Sequence, residues 1–133
     1  FMKNISTLIL LLSSIMMFSS PSFGEWTRIG TNQSGDKFHL DLARIENDNG
    51  FKLYWTLSDF ARPNSRGILS SMVGYKGDCN SFRYKLIYAS HHRQPMGMGN
   101  GVSGNVNGEW RYAPPNSLNE FYLKTVCNYK SRN

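Results

Sequence analysis

The sequence predicts an α+β fold: a small antiparallel β-sheet with a C-terminal α-helix packed on one face. Three observations carry this. Phe51, Leu53, Trp55 and Leu57 alternate with Lys52, Tyr54, Thr56 and Ser58, the period-two pattern of a half-buried strand. Ser117, with Glu120 three positions later, opens a helix whose apolar stripe is Leu118, Phe121, Tyr122, Thr125 and Val126. Cys79 and Cys127 are the two cysteines, and in an oxidising compartment an even pair reads as one disulfide. A pair of separate thiols and a pair of metal ligands are the other readings. Neither cysteine has a second Cys or a His at zinc-ligand spacing. As a cross-link the pair closes a loop of about 48 residues, worth roughly 4 kcal/mol by chain entropy.

Taken in order, Trp26–Ile29 forms a short strand that ends in the turn-rich Gly30-Thr31-Asn32-Gln33-Ser34-Gly35. Asp36–Leu40 is a second strand with Phe38 and Leu40 on one face, and Asp41–Ile45 is one helical turn or bend. Glu46–Gly50 is the strongest hairpin signal, because Asn49-Gly50 tolerates the positive φ of tight turns. The strand from Phe51 to Ser58 follows. Asp59–Gly67, with Pro63, Asn64, Arg62 and Arg66, is a loop, and Ile68–Tyr75 is a strand. A turn is expected at Gly77-Asp78. Ser81–His91 then places Phe82, Tyr84, Leu86 and Tyr88 on one face and Arg83, Lys85 and Ile87 on the other. The face carrying Lys52, Tyr54, Arg83 and Lys85 is expected to be the wetter one. Glycine, asparagine and proline dominate Arg93–Pro115, a long irregular segment of the kind that is usually functional or mobile. Trp110 and Tyr112 restore a short strand at its end. The helix closes the chain, with Lys130 and Arg132 at its carboxyl end, where the dipole favours cations.

The first 24 residues read as a secretory signal: Lys3, an apolar run from Ile5 to Phe18, then Pro21 and small residues before cleavage after Gly24. The apolar core, about 14 residues, is too short to favour a membrane span. Residues 25–133 are then expected as one exported domain. No Cys follows the apolar run, so no lipid anchor is expected. Residues 25–133 hold 14 basic and 9 acidic side chains, a net charge of +5. That excess suits anionic surfaces or simple solubility. The charges are dispersed, and no nucleic-acid partner is expected.

Several pieces of the chain resemble the surface-adhesin protein E family of exported bacterial envelope proteins. They are Trp26 with Gly30; Phe38-His39-Leu40-Asp41; Tyr54-Trp55-Thr56-Leu57-Ser58-Asp59-Phe60; Asp78-Cys79; Tyr88 with Met96-Gly97-x-Gly99; and Pro114-Pro115-x-Ser117 through Val126-Cys127. The resemblance spans Trp26 to Cys127. It implies an antiparallel sheet packed with helix, a Cys79–Cys127 disulfide and an envelope location. The family's characterised namesake is an outer-membrane lipoprotein adhesin that engages host matrix and serum proteins and can dimerise. The chain departs from it in lacking the lipidated Cys.

Catalytic chemistry finds little support. His91 and His92 are adjacent on a strand and point to opposite faces, so they do not jointly hold a metal, and His39 is the third histidine. Asp41, Asp59 and Asp78 abut turns and read as turn-bonding groups. Serine-nucleophile and phosphate-loop motifs are absent, and Gly97-x-Gly99-x-Gly101 lacks the strand–turn–helix context of dinucleotide binding. No enzyme and no cofactor are therefore expected. The expected role is a non-catalytic binding module of the envelope, adhesin-like and contacting host matrix or envelope macromolecules. The alternative is a periplasmic accessory subunit that pairs with another envelope protein; a homodimer is a further expectation. The expected contact surface is Arg83, Lys85, Arg93, Met96, Met98, Trp110 and Arg111, basic side chains interleaved with aromatic and adaptable methionine surface.

Overall fold

The structure, a computed structural model, describes residues 25–130. The signal segment read at residues 1–24, and Arg132, lie outside the described residues. Eight strands form one antiparallel sheet: β1 (Thr27–Thr31), β2 (Lys37–Leu40), β3 (Glu46–Asp48), β4 (Phe51–Asp59), β5 (Ser70–Asp78), β6 (Arg83–His92), β7 (Gly101–Asn105) and β8 (Arg111–Tyr112). Helix α1 (Leu118–Asn128) follows. The spatial order is β1-β2-β4-β5-β6-β7. β2 and β3 share one edge of β4, while β7 and β8 share the outer edge of β6. A 3-10 turn at Leu42–Arg44 occupies the predicted bend. The Asn49-Gly50 turn forms as expected, with φ of 50° and 86°.

The helix begins where the capping residues place it. The Ser117 hydroxyl accepts from the Glu120 N–H at 3.2 Å, and the Glu120 carboxylate accepts from the Asn116 N–H. Helix residues Tyr122, Leu123 and Val126 pack with Leu40, Ile45 and Tyr54. Tyr54 stacks on Tyr75, whose ring meets Tyr84 edge-on, and burial pushes the Tyr75 hydroxyl up to about 12. The disulfide Cys79–Cys127 joins the end of β5 to the last turn of the helix.

The structure corrects five expectations. The turn expected at Gly77-Asp78 lies instead at Cys79–Phe82, and β5 runs through both residues. Gly77 is a seat rather than a turn: a Cβ there would lie 2.8 Å from Leu123 Cδ1 and 3.1 Å from the Tyr54 ring. Second, Lys52 and Tyr54 face the helix and not the wetter side. Lys52 pairs with Gly77 and Tyr54 with Tyr75, and direct partners share a face. Third, Tyr88 leaves the face of Tyr84 and Leu86, because the β5–β6 register shifts at Gly74/Tyr75 and Ile87 is the extra residue. Tyr88 therefore meets Trp55 on the opposite side, with ring centroids 5.1 Å apart. Fourth, Arg93–Pro115 is not irregular throughout. It returns along β6, first as β7, then through Val106 N–H to Ile87 and Gly108 N–H to Leu86, then as β8. Finally, Phe121 is half exposed and Leu123 takes its place in the core.

Two outcomes follow for stability. Gly77→Ala overpacks the helix seat and lowers the urea-unfolding free energy by about 1–3 kcal/mol. Reduction of Cys79–Cys127 costs roughly 4 kcal/mol, seen as a lower urea midpoint in reductant.

Candidate functional site

The sheet face away from the helix is covered unevenly, and five of the seven expected contact residues, Arg83, Lys85, Trp110, Met96 and Met98, lie along it. At the hairpin end it is open. Phe51 and Trp110 pack with centroids 5.6 Å apart. Arg83 and Lys85, paired with Asp78 and Lys76 across β5, project over the Trp110 ring at 4.6 and 5.0 Å. Lys76 lies 4.6 Å above the Phe51 ring. The alternation of β6 puts the two cations on one face, and β8 delivers Trp110 beside them. Cation–π stacking of this kind holds the charged heads on the aromatic surface.

Two carboxylates border the patch. Asp48 pairs with Lys76 at 3.6 Å, and Asp78 with Arg83 at 3.3 Å. Asp78 also accepts from the N–H groups of Asn80 and Ser81, the turn bonding expected of it. The Ser81 N–H foremost, then Arg83 and Asn80, holds the Asp78 carboxyl below its usual 3.8, against the opposing effect of partial burial.

At the other end the same face is lidded. The 3-10 turn Pro95–Gly97 lies across it, bonded by the Asp59 carboxylate to Met96 N–H at 2.9 Å and by the Ser70 hydroxyl to Gly97 N–H at 2.8 Å. Ser70 itself donates to the Gln94 carbonyl. Beneath lie Leu57 and Ser90, both buried. Met96 and Met98 border a cleft at the lid's rim, with Trp26, Asp41, Arg44 and Met72.

The remaining expected residues are elsewhere. Arg93 lines a separate groove of about 700 Å³ with Arg66, His91 and Val102, at the opposite end of β6 from Arg83. Arg111 pairs with Tyr84 and so belongs to the helix side of the sheet, while its exposed neighbour Tyr112 pairs with Arg83. Arg83, Lys85 and Trp110 are thus brought together; Met96 and Met98 form a second place, and Arg93 and Arg111 stand apart. Phe51 and Lys76 belong to the Trp110 cluster but were not singled out by sequence. Phe51 starts the alternating strand, but only the β4–β5 pairing, which sets Lys76 opposite Leu53, brings it beside Lys76.

Two of the three histidines take structural places. His91 and His92 diverge as the strand geometry requires. His91 Nδ1 lies 2.8 Å from the Ser71 hydroxyl. His92 contacts Ser90 Oγ through Nε2 and the Gly99 carbonyl through Nδ1. A carbonyl only accepts, so Nδ1 carries a proton and donates it.

A family model described as Surface-adhesin protein E matches residues 26–128. Its span reaches from Trp26 at the cleft to the last residue of α1. Among curated proteins nothing matches the chain. No helix among the described residues is long and apolar enough to cross a membrane.

The Asp78 carboxylate gives a pH test. Its pKa is depressed in the fold, so its contribution is present above the usual carboxylate range and lost as pH falls through the lower folded value. The Trp110 indole resonance is therefore expected to hold its position as pH passes 3.8 and to move only below it. In Asp78→Asn that low-pH movement disappears, as followed by two-dimensional NMR.

Proposed function

The chain belongs to the surface-adhesin protein E family, and we propose that it works as an exported, non-catalytic binding module of the bacterial envelope, contacting its partner through the Trp110 face. The observation that carries this reading is the open platform of Trp110 and Phe51 with Arg83, Lys85 and Lys76 lying over the rings. Aromatic residues and arginine are the side chains that dominate binding energy at protein interfaces. A net positive chain draws partners by their acidic surface. The partner chemistry that fits is an acidic protein segment with exposed apolar side chains, from host matrix or from the envelope. Residues 1–24 would direct export, leaving 25–133 as the working domain in the periplasm or at the cell surface.

A second reading, an accessory subunit that pairs with another envelope protein, is favoured by β7. All five of its residues are exposed, the apolar Val102 at 78 %, and its far edge has no strand beside it among the described residues. Such an edge accepts an added strand.

Immobilised protein exposed to matrix proteins and to envelope extracts tests both. On the first reading Arg83→Glu/Lys85→Glu weakens capture at least about tenfold, and raised salt weakens the wild type likewise. On the second, Val102→Pro abolishes capture of one envelope protein while the charge reversal leaves it intact. Capture that ignores both variants removes support from both readings.

A further inference from the structure

Every methionine beyond residue 24, namely Met72, Met96 and Met98, lines one cleft of about 600 Å³. The lid's backbone brings them there. Met96 and Gly97 both hold left-handed φ, at 59° and 70°, and the bonds from Asp59 and Ser70 fix them in it. Gly97 stands between Met96 and Met98, and a Cβ on it would lie 3.0 Å from Met72 Sδ. The Met72 sulfur is therefore seated against the backbone that carries the other two side chains.

Plain packing does not account for what surrounds them. Met98 is 47 % exposed, so the cluster opens to solvent. Asp41, only 1 % exposed, lines the same cleft, and neither carboxylate oxygen has a hydrogen bond. Arg44, which lines the same cleft and is largely exposed, forms an ion pair with it, Nε 3.3 Å from Oδ2. His39 does not line the cleft, but it pairs with Leu57, which pairs with Met72, so its ring shares this face of the sheet one strand behind. His39 Nδ1 is buried and also lacks a partner. Buried polar atoms are ordinarily hydrogen-bonded, and here a buried carboxylate met only by an ion pair and an unpartnered imidazole nitrogen accompany three thioethers.

The donor set decides the ligand. Thioether sulfur is a poor ligand for calcium, magnesium or zinc and selects Cu(I) among biological metals. Imidazole nitrogen is a compatible fourth donor, the Asp41 carboxylate balances a single positive charge once the exposed Arg44 turns away from it, and the Trp26 indole in the cleft favours a cation. Both cysteines are closed in the disulfide, so no thiolate of this chain competes. We propose that the cleft binds a soft monovalent metal ion of the Cu(I) class through Met72, Met96 and Met98, with His39 reaching in from behind Leu57 as nitrogen donor and Asp41, released from Arg44, as counter-charge.

The test uses the disulfide-intact protein and two probes, Ag(I), which is redox-inert, and Cu(I) held anaerobically by a competing chelator. One ion per chain is expected, with shifts of the methyl resonances of all three methionines and quenching of tryptophan fluorescence. Met72→Leu/Met96→Leu/Met98→Leu keeps apolar volume. It is expected to weaken Ag(I) binding at least about a hundredfold while the melting temperature stays close to wild type, and His39→Phe about tenfold. Zn(II) is expected to leave the methyl resonances unmoved. Failure of either probe to bind, binding unchanged in the triple variant, or methyl resonances that do not respond in the wild type overturns the proposal. The methyl readout needs no variant, so a triple variant that failed to fold would not rescue it.

Discussion

The rest of the structure depends on how closely helix α1 approaches strand β5. Gly77 leaves room for Leu123 to sit against the strand beside the Tyr54 ring, and Cys79 and Cys127 lock that approach two residues further along. A domain of this size has a modest core, and one face of its sheet is sealed by a single helix of 11 residues. A bulkier residue at Gly77 or a free pair of sulfurs would loosen the one layer that buries Leu40, Tyr54 and Val126. The capping bonds at Ser117 fix the helix start, and the disulfide fixes its end.

The opposite face is held by polar fastening instead of apolar mass. Asp59, at the end of β4, and Ser70, at the start of β5, both grip the Pro95–Gly97 turn through its N–H groups. His92 holds the segment again at Gly99. Segments far apart in the chain, Ser58-Asp59-Phe60 and Met96-Gly97, therefore meet at one bond. The lid protects Leu57 while the hairpin end stays open, and this asymmetry separates the Trp110 platform from the methionine cleft.

Much of this was legible in the residues. The alternation from Phe51 to Ser58 marked β4, Asn49-Gly50 marked its hairpin, Ser117 and Glu120 marked the helix, and the cysteine pair marked the staple. What escaped was information that exists only between elements. Nothing local distinguishes Gly77 as a packing seat from Gly77 as a turn, because the reason for it is Leu123, 46 positions later. The single extra residue Ile87 reverses the phase of β6, so a strict period of two placed Tyr88 on the wrong side. The glycines of 93–115 disguised an edge strand, since Gly108 is needed where its backbone approaches Leu86 too closely for a side chain. Of the candidate site, Arg83, Lys85 and Trp110 were readable as a basic and aromatic interleaving. The partners Phe51 and Lys76, and the shared cleft of Met72 with Met96 and Met98, required the strand pairing.

The disulfide encloses more than the helix. Arg83, Lys85, Arg93, Met96, Met98, Trp110 and Arg111 all lie between Cys79 and Cys127, inside one covalent ring, whereas Phe51, Lys76 and Met72 precede it. A protease that nicks the exposed stretch around Val102 opens the ring without freeing either fragment. The two halves stay joined through sulfur, and β6 keeps the cut ends aligned on its edge. A molecule built this way tolerates hydrolysis in that exposed edge strand while keeping both halves, and the groups they carry, in one covalent unit.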